Sequence, residues 1–463
     1  MVEVEDASGF RGQADRVIAP SSEAELLEII AAAVRDGIPI TIAGARTGLT
    51  GGSVPQGGWA LSMEKFQRLE VFPGRAIAGA GVSLEALHAA ASRTGQFYAP
   101  DPTEWTASIG GTIATNASGS RSFRYGSTRR HVRALRVALM DGRVLEVRRG
   151  DKIDFPVPAL PLPATTKNTA GYQLAPATKE PFQGMMDWID LFTGSEGTLG
   201  IVTEAELQLL PAPADVLAGV VFFETDAAAL DAVDAWRAFE GLRMIEYFDR
   251  RSLALLRTRF QETPANAGAA LLIEQENGDV DFWAEQAPAK HESWFAANLR
   301  DRDRLRRFRH ALPELVNDTM RRRGFLKLGS DYAVPLARNR EMLAFYHAEL
   351  NARGLDYVIF GHIGDAHVHV NILPDSQPEF EAGQRLMLHF ARHAVALGGT
   401  VSAEHGLGKR KAHLLELQYS PAQIEAMTVV KERLDPHWLL NRGNLFAPPP
   451  LPHGRGSVTL SIY

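Results

Sequence analysis

The 463-residue chain contains no cysteine. That absence excludes disulfides, thiolate catalysis, cysteine-held iron–sulfur clusters and thiolate zinc sites, so any metal has to rest on histidine and carboxylate ligands. Long apolar runs are also missing: no stretch approaches the ~18 apolar residues that a membrane-spanning helix needs. The opening residues Met1 to Asp6 are acidic, without the basic and apolar regions of a secretory signal. A soluble, cytoplasmic protein is expected. Basic excess is lacking as well. With 49 Lys plus Arg against 55 Asp plus Glu, the net charge is −6, which argues against nucleic acid as the main partner. At 45% hydrophobic and 22% charged residues, the composition is that of a folded globular chain. Its length suggests two or three domains.

Local patterns describe an α+β protein. Ser22 followed by Glu25 reads as a capping box ahead of Leu26, Leu27, Ile29, Ile30, Ala33 and Val34, predicting a helix to about Asp36 that stops at Gly37. A buried strand over 38–42, a helix over 83–92, and a hairpin of 132–140 with 144–148 turned at Asp141-Gly142 continue the pattern. Pro156, Pro158, Pro161 and Pro163 mark an irregular excursion. A strand over 207–210 ends at Pro211-Ala212-Pro213, the best candidate for a domain boundary, and further strands lie near 220–223 and 270–274.

Glycine is concentrated in loops. Ala43-Gly44-Ala45-Arg46-Thr47-Gly48-Leu49-Thr50-Gly51-Gly52-Ser53 follows a strand, where glycine lets the backbone approach an anionic ligand. The loop fits neither the G-x-G-x-x-G nor the Walker pattern, so a nicotinamide or ATP fold is disfavoured. Three more small-residue segments follow Pro100-Asp101-Pro102. They are Ser108-Ile109-Gly110-Gly111-Thr112-Ile113-Ala114-Thr115-Asn116-Ala117-Ser118-Gly119, Arg124-Tyr125-Gly126, and Gly194-Ser195-Glu196-Gly197-Thr198-Leu199-Gly200-Ile201-Val202. Four such segments suggest backbone wrapped closely around one large ligand.

With these motifs in this order, residues from about Pro20 to Phe446 resemble the vanillyl-alcohol oxidase superfamily, in the branch of D-lactate, glycolate and D-2-hydroxyglutarate dehydrogenases. The resemblance implies a two-subdomain FAD-binding PCMH-type domain over 1–212 and an α+β substrate domain (the FAD-linked oxidase C-terminal type) over 213–425. A segment 426–447 would return to the FAD domain and 448–463 would form a flexible tail. It assigns Gly44 to Gly52 to the FAD pyrophosphate. The flavin and adenosine fall to Pro100, Asp101, Ser108, Gly110, Gly111, Thr112, Asn116 and Gly119, with Tyr125, Gly126, Glu196, Gly197, Gly200, Ile201 and Val202. Covalent attachment in this superfamily uses His or Cys, and neither occurs in the pyrophosphate loop, so non-covalent FAD is expected. His131, near the third segment, reads as a surface histidine.

Three of the 14 histidines fall in Phe360-Gly361-His362-Ile363-Gly364-Asp365-Ala366-His367-Val368-His369-Val370-Asn371-Ile372. If the second half is a strand, period two puts His367, His369 and Asn371 on one face and Val368, Val370 and Ile372 on the other. A glycine turn could bring His362 back toward His369. Ser402-Ala403-Glu404-His405-Gly406 adds a carboxylate beside another histidine, and two imidazoles with one carboxylate suit zinc or another borderline divalent ion, with manganese also a candidate. The resemblance makes His362, His369 and Glu404 the ligands, Asn371 a substrate contact and His405 the base. The chain departs from the commoner Gly-Asp-Gly-Asn-x-His form at Ala366 and His367, so His367 is either an extra ligand or a donor behind the ligands.

Nine arginines fall within 300–324. Leu305, Phe308, Leu312, Leu315, Val316 and Met320 nevertheless share one helical arc, giving a solvated amphipathic helix kinked or restarted near Pro313. Arg309 lies inside that arc. A guanidinium facing the interior needs an anionic partner, and a substrate carboxylate is one candidate. The resemblance assigns it that role and matches Lys327 to a following lysine, two residues off the usual spacing. In Asn441-Arg442-Gly443-Asn444, Arg442 and Asn444 stand where the branch has Pro and Lys.

The reading is an FAD-dependent 2-hydroxyacid dehydrogenase. Without an iron–sulfur cluster of its own, it would pass electrons to an outside quinone, electron-transfer flavoprotein, cytochrome or iron–sulfur partner. That acceptor is the route to any peripheral membrane contact, and a homodimer stays open. The rival classes are a flavin-free His/His/Glu metalloenzyme, a flavin-binding subunit without chemistry and, within the superfamily, an alkylglycerone-phosphate synthase or sugar oxidase.

Overall fold

A computed structural model describes residues 1–176, 184 and 186–450; of the tail expected over 448–463, positions 451–463 lie outside the described residues. Three larger sheets, beside two two-stranded ones, organise the described residues. The first is parallel, with Trp59–Ser62 between Arg16–Ile18 and Ile40–Ala43. Parallel neighbours need a crossover, and the helix Glu23–Asp36 is part of it, burying Leu26, Ile30 and Ala33 against Ile40 and Leu61. Ser22 Oγ accepts the Glu25 N–H and Gly37 closes the helix at φ +64°. Only half of the expected capping box forms, because the Glu25 carboxylate accepts Ser21 N–H at 2.7 Å instead of reaching Ser22.

The second sheet is antiparallel, in the order Val144–Arg148, Val132–Ala138, Ile201–Gln208, Arg75–Gly79, Leu69–Phe72. The expected hairpin turns at Asp141-Gly142, where Asp141 Oδ1 accepts Arg143 N–H at 3.0 Å. The strand read over 207–210 instead starts at Ile201, just after the glycine segment. Its buried positions Ile201, Thr203, Ala205 and Leu207 alternate with half-buried ones, a period obscured by the threonine and glutamates.

The third sheet has seven antiparallel strands in the order Trp294–Ala296, Val216–Phe223, Ala269–Glu276, Leu242–Asp249, Tyr357–His362, His367–Ile372, Leu328–Gly329. Both faces are covered. Val221, Tyr247, Leu271, Ile359, Val370 and Ile372 pack under the helices Asp226–Trp236, Asn339–Ala352 and Gln377–Ala396. The opposite face carries Phe222, Phe248 and Leu272 against helix Leu299–Arg323, which buries Leu305, Phe308, Leu312, Val316 and Met320. Each such side chain contributes roughly 1.5–3 kcal/mol, whereas exposed pairs such as Arg304–Glu262 and Arg306–Asp303 are worth at most about 1 kcal/mol each. The apolar stripe therefore anchors the helix. It runs unbroken through Pro313, which has no N–H to give the Arg309 carbonyl.

After helix Pro421–Leu434 the chain returns to the first sheet. Leu439 and Leu440 join the core around Ile40, and Asn441 N–H donates to Ile40 O at 2.8 Å.

Candidate active site

A cleft of about 2550 Å³ runs between the glycine loops and the seven-stranded sheet. Small-molecule sites span roughly 300–1000 Å³, so this one has room for a dinucleotide and a substrate together. The segments expected to hold FAD divide in two. Gly44 to Thr50, Gly52, Ser108, Gly110 to Thr112, Gly119, Glu196, Gly197, Gly200 and Val202 line the cleft. Gly51, Pro100, Asp101, Asn116, Tyr125, Gly126 and Ile201 do not. Asp101 is held by Arg121 at 2.9 Å and Trp105 at 2.9 Å, Asn116 Oδ1 accepts Arg129 N–H at 2.9 Å, and the Tyr125 hydroxyl donates to Glu276.

The loop expected to hold the pyrophosphate offers donors. Gly51 N–H is taken by Asp6 Oδ2 at 2.8 Å, but among the described residues no acceptor faces the N–H groups of Thr47, Gly48, Leu49 and Thr50. A run of such amides suits an anion such as a pyrophosphate. The loop also meets the Glu404-His405 segment, as Thr50 O accepts both Lys409 and Arg410 N–H at 3.1 Å. Gly408 makes that approach possible: its φ is +52°, and a Cβ there would lie 2.2 Å from Thr50 O.

Sheet register assembles the opposite wall. Tyr247 pairs with Gly361, and His362 pairs with His367 across the turn at 363–366. Because side chains alternate, Glu246, His362, His367, His369 and Asn371 all fall on the face away from the core of Ile359, Val370 and Ile372. The expected polar and apolar faces of this strand are both present. His362, His367, His369 and Glu404 each bring a ligand atom to within 4.8 Å of the others. Gly361 keeps the cluster tight, since a Cβ there would lie 2.8 Å from His369 Cδ2.

Three observations fit a metal ion. His362 Nδ1 sits 2.6 Å from Glu246 Oε1 and His369 Nδ1 lies 3.1 Å from Ser330 O, so each imidazole is steadied at one nitrogen with the other inward, as metal-binding histidines are. Buried among three other imidazoles, His369 is held well below its ordinary pKa and stays neutral. His367 Nδ1 has no partner, while its Nε2 is 3.1 Å from Asp331 Oδ1, off the line of a hydrogen bond.

The charges around the cage are paired and buried. Burial opposes ionisation of Glu246, but His362 and Arg309 outweigh it and hold the carboxyl far below the usual range. Burial likewise opposes protonation of His362, yet Glu246 and Glu404 raise it to about 9. His362 Nε2 lies 3.2 Å from Glu404 Oε2. His405 lines the cleft with its ring stacked 5.6 Å from that of His369, and burial lowers it despite Asp331.

Arg309 does face the interior, and its partner is within the chain: Nε donates to Glu246 Oε2 at 2.9 Å and Nη1 to Thr103 Oγ1 at 3.4 Å. Asn371 lines the cleft with Nδ2 unpartnered, and Lys327 lines it too, lowered by burial and by Lys411. His131 corrects the sequence reading. It is not a surface residue but 3% exposed, with Nε2 3.0 Å from Tyr125 O and burial lowering it to about 4. At the departing motif, Asn444 Oδ1 accepts Lys409 Nζ at 2.9 Å, so a lysine from another loop stands beside the position where the branch carries its own.

Sequence reasoning missed Glu246, Asp331 and Lys167. Their signal was a lone charge in a hydrophobic or small-residue stretch, which is costly to bury without a partner.

A glycine-walled cleft facing a cluster of buried histidines and carboxylates from a second sheet suits a cofactor-dependent enzyme built from two parts. The chain belongs to the FAD-linked oxidases. Residues 212–445 match the family described as FAD linked oxidases, C-terminal domain, and residues 14–148 match the FAD binding domain. The chain is 31% identical to a D-lactate dehydrogenase of Archaeoglobus fulgidus, covering 93% of this chain and 90% of that one. It is 30% identical to the glycolate oxidase subunit GlcD of Bacillus subtilis (95% and 90% covered) and 31% identical to a D-2-hydroxyglutarate dehydrogenase of Xanthomonas citri (94% and 90%). A solved alkyldihydroxyacetonephosphate synthase shares the fold with a TM-score of 0.62 at 16% identity, over 92% of this chain and 76% of its own. No helix among the described residues is long and apolar enough to cross a membrane.

Proposed function

We propose that the protein oxidises a D-2-hydroxy acid of the lactate, glycolate or 2-hydroxyglutarate type to the 2-oxo acid, with FAD as oxidant. The carrying observation is a single cleft that joins the acceptor-free amides of 47–50 to the group of His362, His369 and Glu404. The activities named for the relatives support this reading. Residues 1–212 would carry FAD, 213–425 the substrate, metal and base, and 426–447 the return to the FAD domain.

FAD held in this cleft would supply the two-electron oxidation of the substrate Cα–H. A zinc or manganese ion held by His362, His369 and Glu404 would supply Lewis acidity toward the substrate hydroxyl and carboxylate. His405 takes the hydroxyl proton, with Asp331 Oδ2 holding its backbone N–H at 2.9 Å. Arg309 keeps Nε on Glu246 and Nη1 on Thr103 and presents Nη2 to the substrate carboxylate, Asn371 Nδ2 donates a further hydrogen bond, and Lys327 adds positive charge to the cleft. With no cysteine to hold a cluster, the chain hands electrons to an external acceptor.

The test is anaerobic: purified protein carrying FAD is mixed with a panel of D- and L-2-hydroxy acids while the flavin absorption is followed. Bleaching by one or more D-2-hydroxy acids is expected. Protein that stays colourless after FAD addition, or flavin that no 2-hydroxy acid reduces, overturns the reading.

A further inference from the structure

Lys167 lies in the stretch Thr165-Thr166-Lys167-Asn168-Thr169-Ala170, and only 2% of its side chain is exposed. Its ammonium has three partners: Glu404 Oε1 at 2.5 Å, Gly119 O at 3.1 Å and Asp365 Oδ2 at 3.3 Å. Three donors meet three acceptors, which is what a buried ammonium requires. Glu404 Oε1 also accepts Ser118 Oγ at 2.6 Å, so that oxygen is fully occupied from the glycine-loop side. Glu404 Oε2 is left facing His362 Nε2 at 3.2 Å. Asp365 belongs to the turn between the two histidine strands and accepts Ser122 Oγ at 2.9 Å.

We propose that Lys167 is a positioning residue that makes Glu404 a one-oxygen ligand, offering Oε2 alone to a cation in the cage and tying that ligand to the 118–119 loop. The inference rests on the metal role proposed above. A carboxylate can bind a metal through one oxygen or two, and Lys167 with Ser118 already occupies Oε1. The ammonium also competes with the metal for the same carboxylate, so it moderates affinity as well as geometry.

The test uses FAD-loaded full-length protein stripped of metal by chelation, in wild-type, Lys167→Met and Lys167→Arg forms, with FAD content checked first. Zn²⁺ is titrated by calorimetry. Lys167→Met is expected to bind Zn²⁺ about tenfold or more tighter, because a competing positive charge is gone, while Lys167→Arg stays within about threefold of wild type. Loaded with Co²⁺, Lys167→Met should show weaker visible ligand-field absorption than wild type, as the second oxygen raises the coordination number. A merely structural lysine would give weaker metal binding or none of these changes, and either result in FAD-retaining protein overturns the inference. If Lys167→Met does not fold, Ser118→Ala decides. Freeing Oε1 of one donor should tighten Zn²⁺ by about twofold or more, and unchanged binding rejects the idea. Absence of Zn²⁺ uptake by the wild type overturns the metal role itself, and this inference with it. A failure confined to the variants overturns the role of Lys167 alone.

Discussion

Asp331 is fully buried, and its two oxygens do different work. Oδ2 accepts Ser402 Oγ at 2.8 Å, Glu404 N–H at 3.2 Å and His405 N–H at 2.9 Å. Oδ1 faces His367 Nε2 at 3.1 Å and His405 Nδ1 at 3.5 Å. Asp331→Asn separates these roles, because the amide oxygen can keep the three bonds of Oδ2 while NH2 replaces the charge facing the imidazoles. At 3.5 Å and an effective dielectric near 20, a unit charge stabilises an imidazolium by about 5 kcal/mol. Allowing roughly half for relaxation and the residual amide dipole leaves about 2.5 kcal/mol, or about 100-fold in rate when His405 takes the substrate proton. The assay is anaerobic stopped-flow reduction of the flavin at saturating 2-hydroxy acid, with FAD and metal content measured in parallel. Asp331→Asn should be slower by about two orders of magnitude with both contents unchanged. A rate within about threefold of wild type would show that the charge does nothing for His405. Loss of FAD or metal would make Asp331 a scaffold residue and refute the division of labour between its oxygens.

Two further substitutions probe the backbone and the loop contacts. Ala366 holds φ +52° where the resembled branch has glycine, so Ala366→Gly should gain about 0.5–1 kcal/mol by removing left-handed strain, less glycine's greater freedom when unfolded; a lowered urea midpoint contradicts this. Burial raises the Glu196 carboxyl to about 7 from 4.5, against the lowering effect of Leu407 and Gly408 N–H and of Lys409. Because the folded pKa is the higher, the stability it contributes is complete below about pH 4.5 and lost as pH rises through 7, by about 3 kcal/mol. Glu196→Gln should remove that part of the decline from a comparison of urea midpoints between pH 4.5 and 7, and parallel wild-type and variant profiles would exclude it.

Much of this architecture was legible locally. The Ser22 cap, the Gly37 stop, the Asp141-Gly142 turn and the two faces of 367–372 follow from periodicities and turn chemistry that operate within a few residues. The glycine loops suggested one large ligand, and three of the four segments line a single cleft. Errors came where the deciding fact was distant: the environment of His131 is set by packing against Tyr98 and the Tyr125 carbonyl.

The charged residues show why the remainder was hidden. Glu246 sits in Met244-Ile245-Glu246-Tyr247-Phe248, a buried strand in which a lone carboxylate is costly unless it meets a cation or strong donors. Its presence is therefore a demand, readable from the sequence, for a partner whose address is not. That partner is His362, 116 residues away, just as Glu404 finds Lys167 at a separation of 237 and Ser118 at 286. Only the strand register that pairs Tyr247 with Gly361 turns the first demand into a contact. Arg309 illustrates the consequence. Its helical position correctly required an anion, but the substrate was one of two possible answers: Glu246 occupies Nε and Thr103 accepts from Nη1, leaving Nη2 for the other work. The same carboxylate therefore steadies His362 with one oxygen and aims Arg309 with the other, coupling the histidine cluster to the group expected to hold the substrate.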